Sequence, residues 1–235
     1  MGDIQAAFSL AANLIFSGDA DLFEIVGLSL SVSVTAVAIA CAVGMTLGAT
    51  IAVTRFPGRP AVIVLLNALM GLPPVVVGLG VYLVLSRAGP LGVLGLLYTP
   101  TAMIVAQTIL VTPVVAALTR QVVEDLHHEY DEALKSLGVK GIGLVRTLIW
   151  DARYSLITVA LAGFGRAVAE VGAVIIVGGN IDHLTRTMTT AIALETSKGN
   201  LALALALGIV LVGISLAVNG AVSGLGGAAG RRRHA

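Results

Sequence analysis

Four stretches of this chain, Ile25–Thr54, Ala61–Ser86, Ala88–Thr119 and Gly199–Gly230, contain no Asp, Glu, Lys or Arg. Each is longer than the roughly 20 apolar residues that carry a helix across about 30 Å of hydrocarbon. A fifth apolar stretch, Tyr154–Gly178, has the same reach but holds Arg166 and Glu170. In lipid every backbone donor and acceptor must be satisfied within the segment, so runs of this length fold as helices. The expected class is therefore all-α: a polytopic membrane helix bundle of about five transmembrane helices, a single domain over residues 1–235. Composition agrees, because only 11% of the residues are charged where soluble domains carry about 25%.

Placement of charge sets the expected orientation. With five spans, one side receives Arg55, Arg59, Arg120, Lys135, Lys140, Arg146, Arg153 and the Arg231–Arg233 tail. The other receives Arg87, Arg186 and Lys198. The positive-inside rule places the richer side in the cytoplasm, with the N-terminus outside and the C-terminus inside. No cation precedes Arg55, so the basic start of a secretory signal is missing and no cleavage is expected. Cys41 is the sole cysteine, which excludes a disulfide framework and a thiolate metal site and leaves a packing role.

Along the chain, residues 5–16 are apolar but too short to span, and read as an interfacial helix. The first span lies within Glu24–Thr54, where Ala36, Ala38, Ala40, Gly44 and Gly48 permit close helix approach. Two prolines and a glycine between Thr54 and Pro60 make a turn. The second span, Ala61–Leu85, is interrupted by Gly71-Leu72-Pro73-Pro74, so it should kink or unwind. Pro73 and Pro74 then either line a translocation path or gate, or form a structural kink against a neighbour. Span three covers Thr101–Leu118 with a bend at Pro113, span four Tyr154–Gly178, and span five lies within Asn200–Val222. The glycine-rich residues 224–235 read as a disordered, cationic tail against anionic headgroups.

The densest run of charge lies in one cytoplasmic loop, residues 120–153. It holds Arg120, Glu124, Asp125, His127, His128, Glu129, Asp131, Glu132, Lys135, Lys140, Arg146, Asp151 and Arg153. Val122, Leu126, Tyr130, Ala133 and Leu137 recur at helical spacing. Acids precede Lys135 and Gly138 follows Leu137, an order that suits the helix dipole and supplies a stop. A second helix is expected from Ile142 to Trp150. Two short helices of this kind suit a groove in a partner; the plain alternative is a solvated polar connection. His127 and His128 point about 100° apart on a helix and are poorly placed to share a metal. No metal-ligand motif is present.

Glu132-Ala133-Leu134, three residues, Gly138, nine residues and Leu148 resemble the Glu-Ala-Ala loop of ABC importer permeases. Leu134 stands for the second alanine, Leu148 for isoleucine, and Trp150-Asp151 for the usual Leu-Pro. The resemblance implies that Glu132, Ala133, Leu134, Gly138 and Leu148 form a coupling element for a cytoplasmic ATPase.

Arg166 and Glu170 would lie on one face of a continuous fourth span, with Arg166 about 18 Å along it from Tyr154. Charges there should face the bundle interior, either lining or gating a substrate path or fixing helix register as a buried pair. Beyond this span Gly179, Asn180, Thr185 and Arg186 form an outer segment of glycines, hydroxyls and one cation. Such a surface suits either a small oxyanion or a docking protein. The runs Glu170-Val171-Gly172-Ala173, Gly179-Asn180-Ile181 and Thr185-Arg186-Thr187-Met188-Thr189-Thr190-Ala191-Ile192 resemble the oxyanion branch of the permease family. That branch imports molybdate, tungstate and sulfate, and the similarity is greatest to tungstate permease subunits.

These resemblances imply a homodimeric type I importer pore in a prokaryotic cell membrane. They also imply two cytoplasmic ABC ATPase subunits and an extracytoplasmic oxyanion-binding protein, with no cofactor, metal or nucleic acid. The chain has no P-loop pattern, so energy must come from the partner. Two other classes remain open: an ion-driven or facilitated transporter without an ATPase, and an intramembrane enzyme. The second would need a catalytic cluster that the sequence does not display.

Overall fold

A computed structural model describes residues 2–136, 138 and 141–233, with the side chains at 2–6, 131, 133, 135 and 221–233 outside the description. The described residues form helices joined by turns and loops and contain no strand. Ten α-helices follow in order: α1 (Gly2–Ser17), α2 (Ala20–Val53), α3 (Arg59–Met70), α4 (Pro74–Leu85) and α5 (Pro100–Ser136). Then come α6 (Ile142–Asp151), α7 (Arg153–Val168), α8 (Gly172–Gly178), α9 (Met188–Lys198) and α10 (Leu201–Arg233). Three stretches are long and apolar enough to cross a membrane: α2, Pro100–Tyr130 of α5 and Leu201–Gly220 of α10. The number rises to five when α3 with α4 and α7 with α8 are each taken as one broken span.

Sequence signals explain most helix ends. Asp19 accepts from the Leu22 N–H at 3.0 Å and so caps the start of α2. Arg59 begins α3 behind Gly58, whose φ of 89° only glycine adopts freely. Pro74 is the first residue of α4, where a missing N–H costs nothing. The Pro-Pro pair therefore separates two helices and starts the second. It does not kink one continuous helix. At the close of α3, Gly71 and Leu72 donate to the Ala68 and Leu69 carbonyls, which satisfies acceptors that a kink would have freed.

Three further expectations change. The first loop helix is not separate, since α5 runs unbroken through the third span to Ser136. Between Pro113 and Gly138 there is no glycine or proline, so nothing stops it. The fourth span breaks after Val168 and resumes at Gly172. Helix α10 continues to Arg233 through residues expected to be a disordered tail. Interspersed glycines cost helix about 1 kcal/mol each, but that stretch has no proline to end it.

The contacts divide the chain into two compact units. One comprises Met1–Thr35, Pro73–Gln107 and Val168–Val218; the other comprises Ala36–Leu72, Thr108–Ala167 and Asn219–Ala235. In the first, Ala11, Leu22, Ile25, Met188, Ala191 and Leu207 pack into one core, so α1 carries buried residues on one side. Gly78 and Gly172 allow α4 and α8 to touch: a Cβ on Gly78 would lie 2.8 Å from the Ala173 Cα.

In the second unit, α2 and α5 meet across Gly44 and Gly48, two of the small residues expected to permit close approach. A Cβ on Gly48 would overlap the Ala116 carbonyl oxygen and lie 3.0 Å from the Arg120 nitrogen. Backbone atoms cannot rotate away, so Gly48→Ala should cost about 2 kcal/mol by overpacking. Thermal unfolding in detergent checks this. The same change at Gly213, which lies inside α10 and meets nothing within 4 Å, should instead raise stability by up to about 1 kcal/mol.

Candidate functional site

The second unit carries the charged helix pair. Leu134 near the end of α5 and Leu148 in α6 are both buried, with Ala49, Ala52 and Val123, in a single apolar cluster. Burying two leucines contributes about 1.5–3 kcal/mol each, enough to hold α6 against α2 and α5. Both leucines are positions where the loop departs from the family pattern, and each fills core. Glu132 is exposed, as a residue that meets a partner must be. Ala133 lies in α5, with its side chain outside the described set. Gly138 has φ 69° and Gly141 has φ 60° with ψ −133°, so the connection uses two backbone conformations that side-chain-bearing residues rarely adopt.

Behind this pair stands an ionic anchor that sequence reading did not single out. Arg59 donates from Nε to the Ile51 carbonyl at 2.9 Å and from Nη2 to the Ala52 carbonyl at 3.3 Å. Its Nη2 also reaches Glu124 Oε1 at 2.8 Å. Arg120 binds the other Glu124 oxygen from one turn earlier on α5. One arginine thus satisfies the open carbonyls at the end of α2 and ties that end to α5. The i,i+4 spacing of Arg120 and Glu124 was visible in sequence; the tie to Arg59 was not.

Arg166 sits in the last turn of α7, half-buried, and its Nε has no hydrogen-bond partner. Glu170 lies beyond the end of that helix. It is buried, accepts from the Ala173 N–H at 3.0 Å and thereby caps α8. Its carbonyl accepts from Thr189 Oγ1 at 2.8 Å. Among the described residues neither Arg166 nor Glu170 forms an ion pair. The shared helix face assumed for them is lost with the helix break.

The outer segment lies in the first unit, and its polar groups are largely engaged. Gly179 takes φ 73° and ends α8, with the Tyr98 ring packed where a Cβ would stand. Thr185 is fully buried, donates to the Gly178 carbonyl at 2.6 Å and accepts from the Ile181 N–H at 2.9 Å. Arg186 pairs with Asp182 at 2.6 Å. Asn180 donates to the Thr190 carbonyl at 3.4 Å, leaving its own buried Oδ1 without a partner. Thr187 and Thr190 form a reciprocal capping box at the start of α9. The hydroxyls that suggested anion contacts therefore fold this loop.

Asp21, Glu24 and His183 bring their ligand-type atoms within 4.8 Å of one another on exposed surface. An ion pair accounts for the contact, since His183 Nδ1 lies 2.9 Å from Glu24 Oε2. The hydrogen bond to Glu24, with the charges of Glu24, Asp182 and Asp21, raises the His183 pKa above its ordinary 6.5. Stabilisation from this contact is complete below about pH 6.5 and disappears as pH rises through the raised value. An NMR titration should place the His183 midpoint above 6.5, and Glu24→Gln should bring it down.

Long uncharged helices, with a charged helix pair seated on them, give the chain the make-up of a multi-span membrane protein. The chain belongs to the family described as binding-protein-dependent transport system inner membrane component, which matches residues 21–226. A probable anion ABC transporter permease protein of Haloferax volcanii is 42% identical over 203 residues, covering 84% of this chain and 88% of that protein. The tungstate uptake system permease protein TupB of Peptoclostridium acidaminophilum is 41% identical over 222 residues, covering 94% and 97%. TupB of Campylobacter jejuni is 45% identical over 150 residues, covering 64% and 63%.

Proposed function

We propose that this chain is the pore subunit of an ATP-driven importer that takes tungstate, or a related oxyanion such as molybdate, into the cytoplasm. The observation that carries this reading is 41% identity to a tungstate uptake permease over nearly the whole of both chains. In this account two copies form the pore, two ATPase subunits bind below and an oxyanion-binding protein docks above. The cation bias puts Arg120–Arg153 in the cytoplasm and the N-terminus outside. ATP-driven closure of the motors moves α6 and the end of α5, and the buried cluster that holds Leu134 and Leu148 passes that movement into the bundle.

Arg166 is assigned to the translocation path. A half-buried cation without an ion pair is costly in a bilayer and suits a passing anion. Glu170 acts at one remove, by fixing the start of α8. Pro73 and Pro74 set the break beside the path, while Gly179, Asn180, Thr185 and Arg186 shape the outer loop. Competitive uptake tests the substrate: cells making the complete transporter should take up tungstate in preference to molybdate and sulfate. Equal uptake of all three overturns the tungstate assignment.

A further inference from the structure

The second unit holds an open apolar groove of about 690 Å³ along α6, α7 and α2, lined by Met45, Ile149, Trp150, Leu156, Ile157 and Ala160. Its volume falls within the range of about 300–1,000 Å³ found for small-molecule sites. Arg146 and Arg153 also line it, with Thr147 between the first of them and Ile149. Both arginines are exposed and neither forms an ion pair among the described residues. The Arg153 guanidinium lies 5.2 Å from the Trp150 ring centre and 4.7 Å from that of Tyr154, and donates to the Trp150 carbonyl at 2.8 Å. Its position is therefore fixed before any ligand arrives. Trp150 is 71% exposed although it is the largest side chain in the groove.

The lining is graded along the chain. Arg146, Trp150 and Arg153, the last with the Tyr154 ring beside it, precede or open α7, whereas Leu156, Ile157 and Ala160 lie about 5–10 Å further along it. Cations and aromatics at one end with aliphatic residues at the other match the two ends of a phospholipid. We propose that this groove binds one anionic phospholipid, with its phosphate at Arg146 and Arg153 and an acyl chain along Met45, Leu156, Ile157 and Ala160. Charge complementarity selects an anionic headgroup over a zwitterionic one. The site depends on the membrane placement of the chain and not on its cargo.

Trp150 is the only tryptophan, so its fluorescence reports this groove alone. The full chain is reconstituted in vesicles doped with brominated phosphatidylglycerol or brominated phosphatidylcholine at equal mole fraction. Phosphatidylglycerol should quench Trp150 more strongly. Arg146→Gln should weaken the preference without touching the Trp150 ring, and the double change with Arg153→Gln should lower relative affinity about tenfold or more. Arg87→Gln, outside the groove, should leave it intact. Retained quenching by phosphatidylcholine shows that a variant is still inserted. Equal quenching by both lipids in the wild type overturns the proposal, because bulk lipid then fills the groove. Quenching by neither also overturns it, because a second copy or another protein then covers Trp150.

Discussion

Gly138→Val is expected to leave the protein inserted in the membrane and to cut uptake by about tenfold or more, on the scale of typical coupling energies between sites. Gly138 has φ 69°, and nothing lies within 4 Å of where its Cβ would be. A side chain would meet no obstacle, so the cost lies in the backbone. The left-handed conformation disfavours L-residues by about 1–2 kcal/mol. The chain relieves that strain by leaving the conformation, which re-aims α6 relative to the end of α5. The packing of Leu134 and Leu148 in their shared cluster then has to be remade or lost, and movement at the loop no longer reaches the spans. Asparagine and aspartate tolerate this conformation better than most residues, so Gly138→Asn and Gly138→Asp should keep most of the uptake. Uptake normalised to membrane-inserted protein is the measurement. Equal activity of the valine variant and wild type would remove Gly138 from the coupling element.

Arg166→Gln is expected to lower oxyanion uptake by about tenfold to a hundredfold, the equivalent of one charge-assisted hydrogen bond of about 1.5–3 kcal/mol. A structural role at the end of α7 is the competing account, because a cation in the last turn also favours the helix dipole. The two separate cleanly. Loss of an anion contact raises the substrate concentration needed for half-maximal uptake and leaves thermal unfolding in detergent unchanged. Loss of a helix-end contact lowers the unfolding temperature and leaves that concentration alone. Arg166→Lys should recover part of the transport, since the charge remains while the planar fork is lost.

The spans and α6 were legible in the sequence, because uncharged length and helical spacing follow directly from lipid and from the 3.6-residue turn. The break after Val168 was not legible. Ala169-Glu170-Val171 has neither glycine nor proline, and a single Glu does not by itself end a helix. The break is held by Glu170 capping α8 and by Thr189, nineteen residues away, donating to the Glu170 carbonyl. Only the fold brings that hydroxyl there. The outer loop shows the converse. Thr185 and Thr187 had the right chemistry for an anion, but burial commits them to the Gly178 carbonyl and to the α9 cap. In the charged loop, Glu132 and Gly138 stood out by spacing, while the leucines that seat α6 looked like departures from a motif.

The central claim is that this chain moves an oxyanion only when a separate ATPase drives it. Proteoliposomes carrying this chain with its ATPase subunits inside, and loaded with ATP, should accumulate tungstate when it is supplied outside with the binding protein. Removing either the ATP or the ATPase should abolish accumulation. Tungstate entry of equal rate and extent without the ATPase would contradict the account and identify a transporter that works alone.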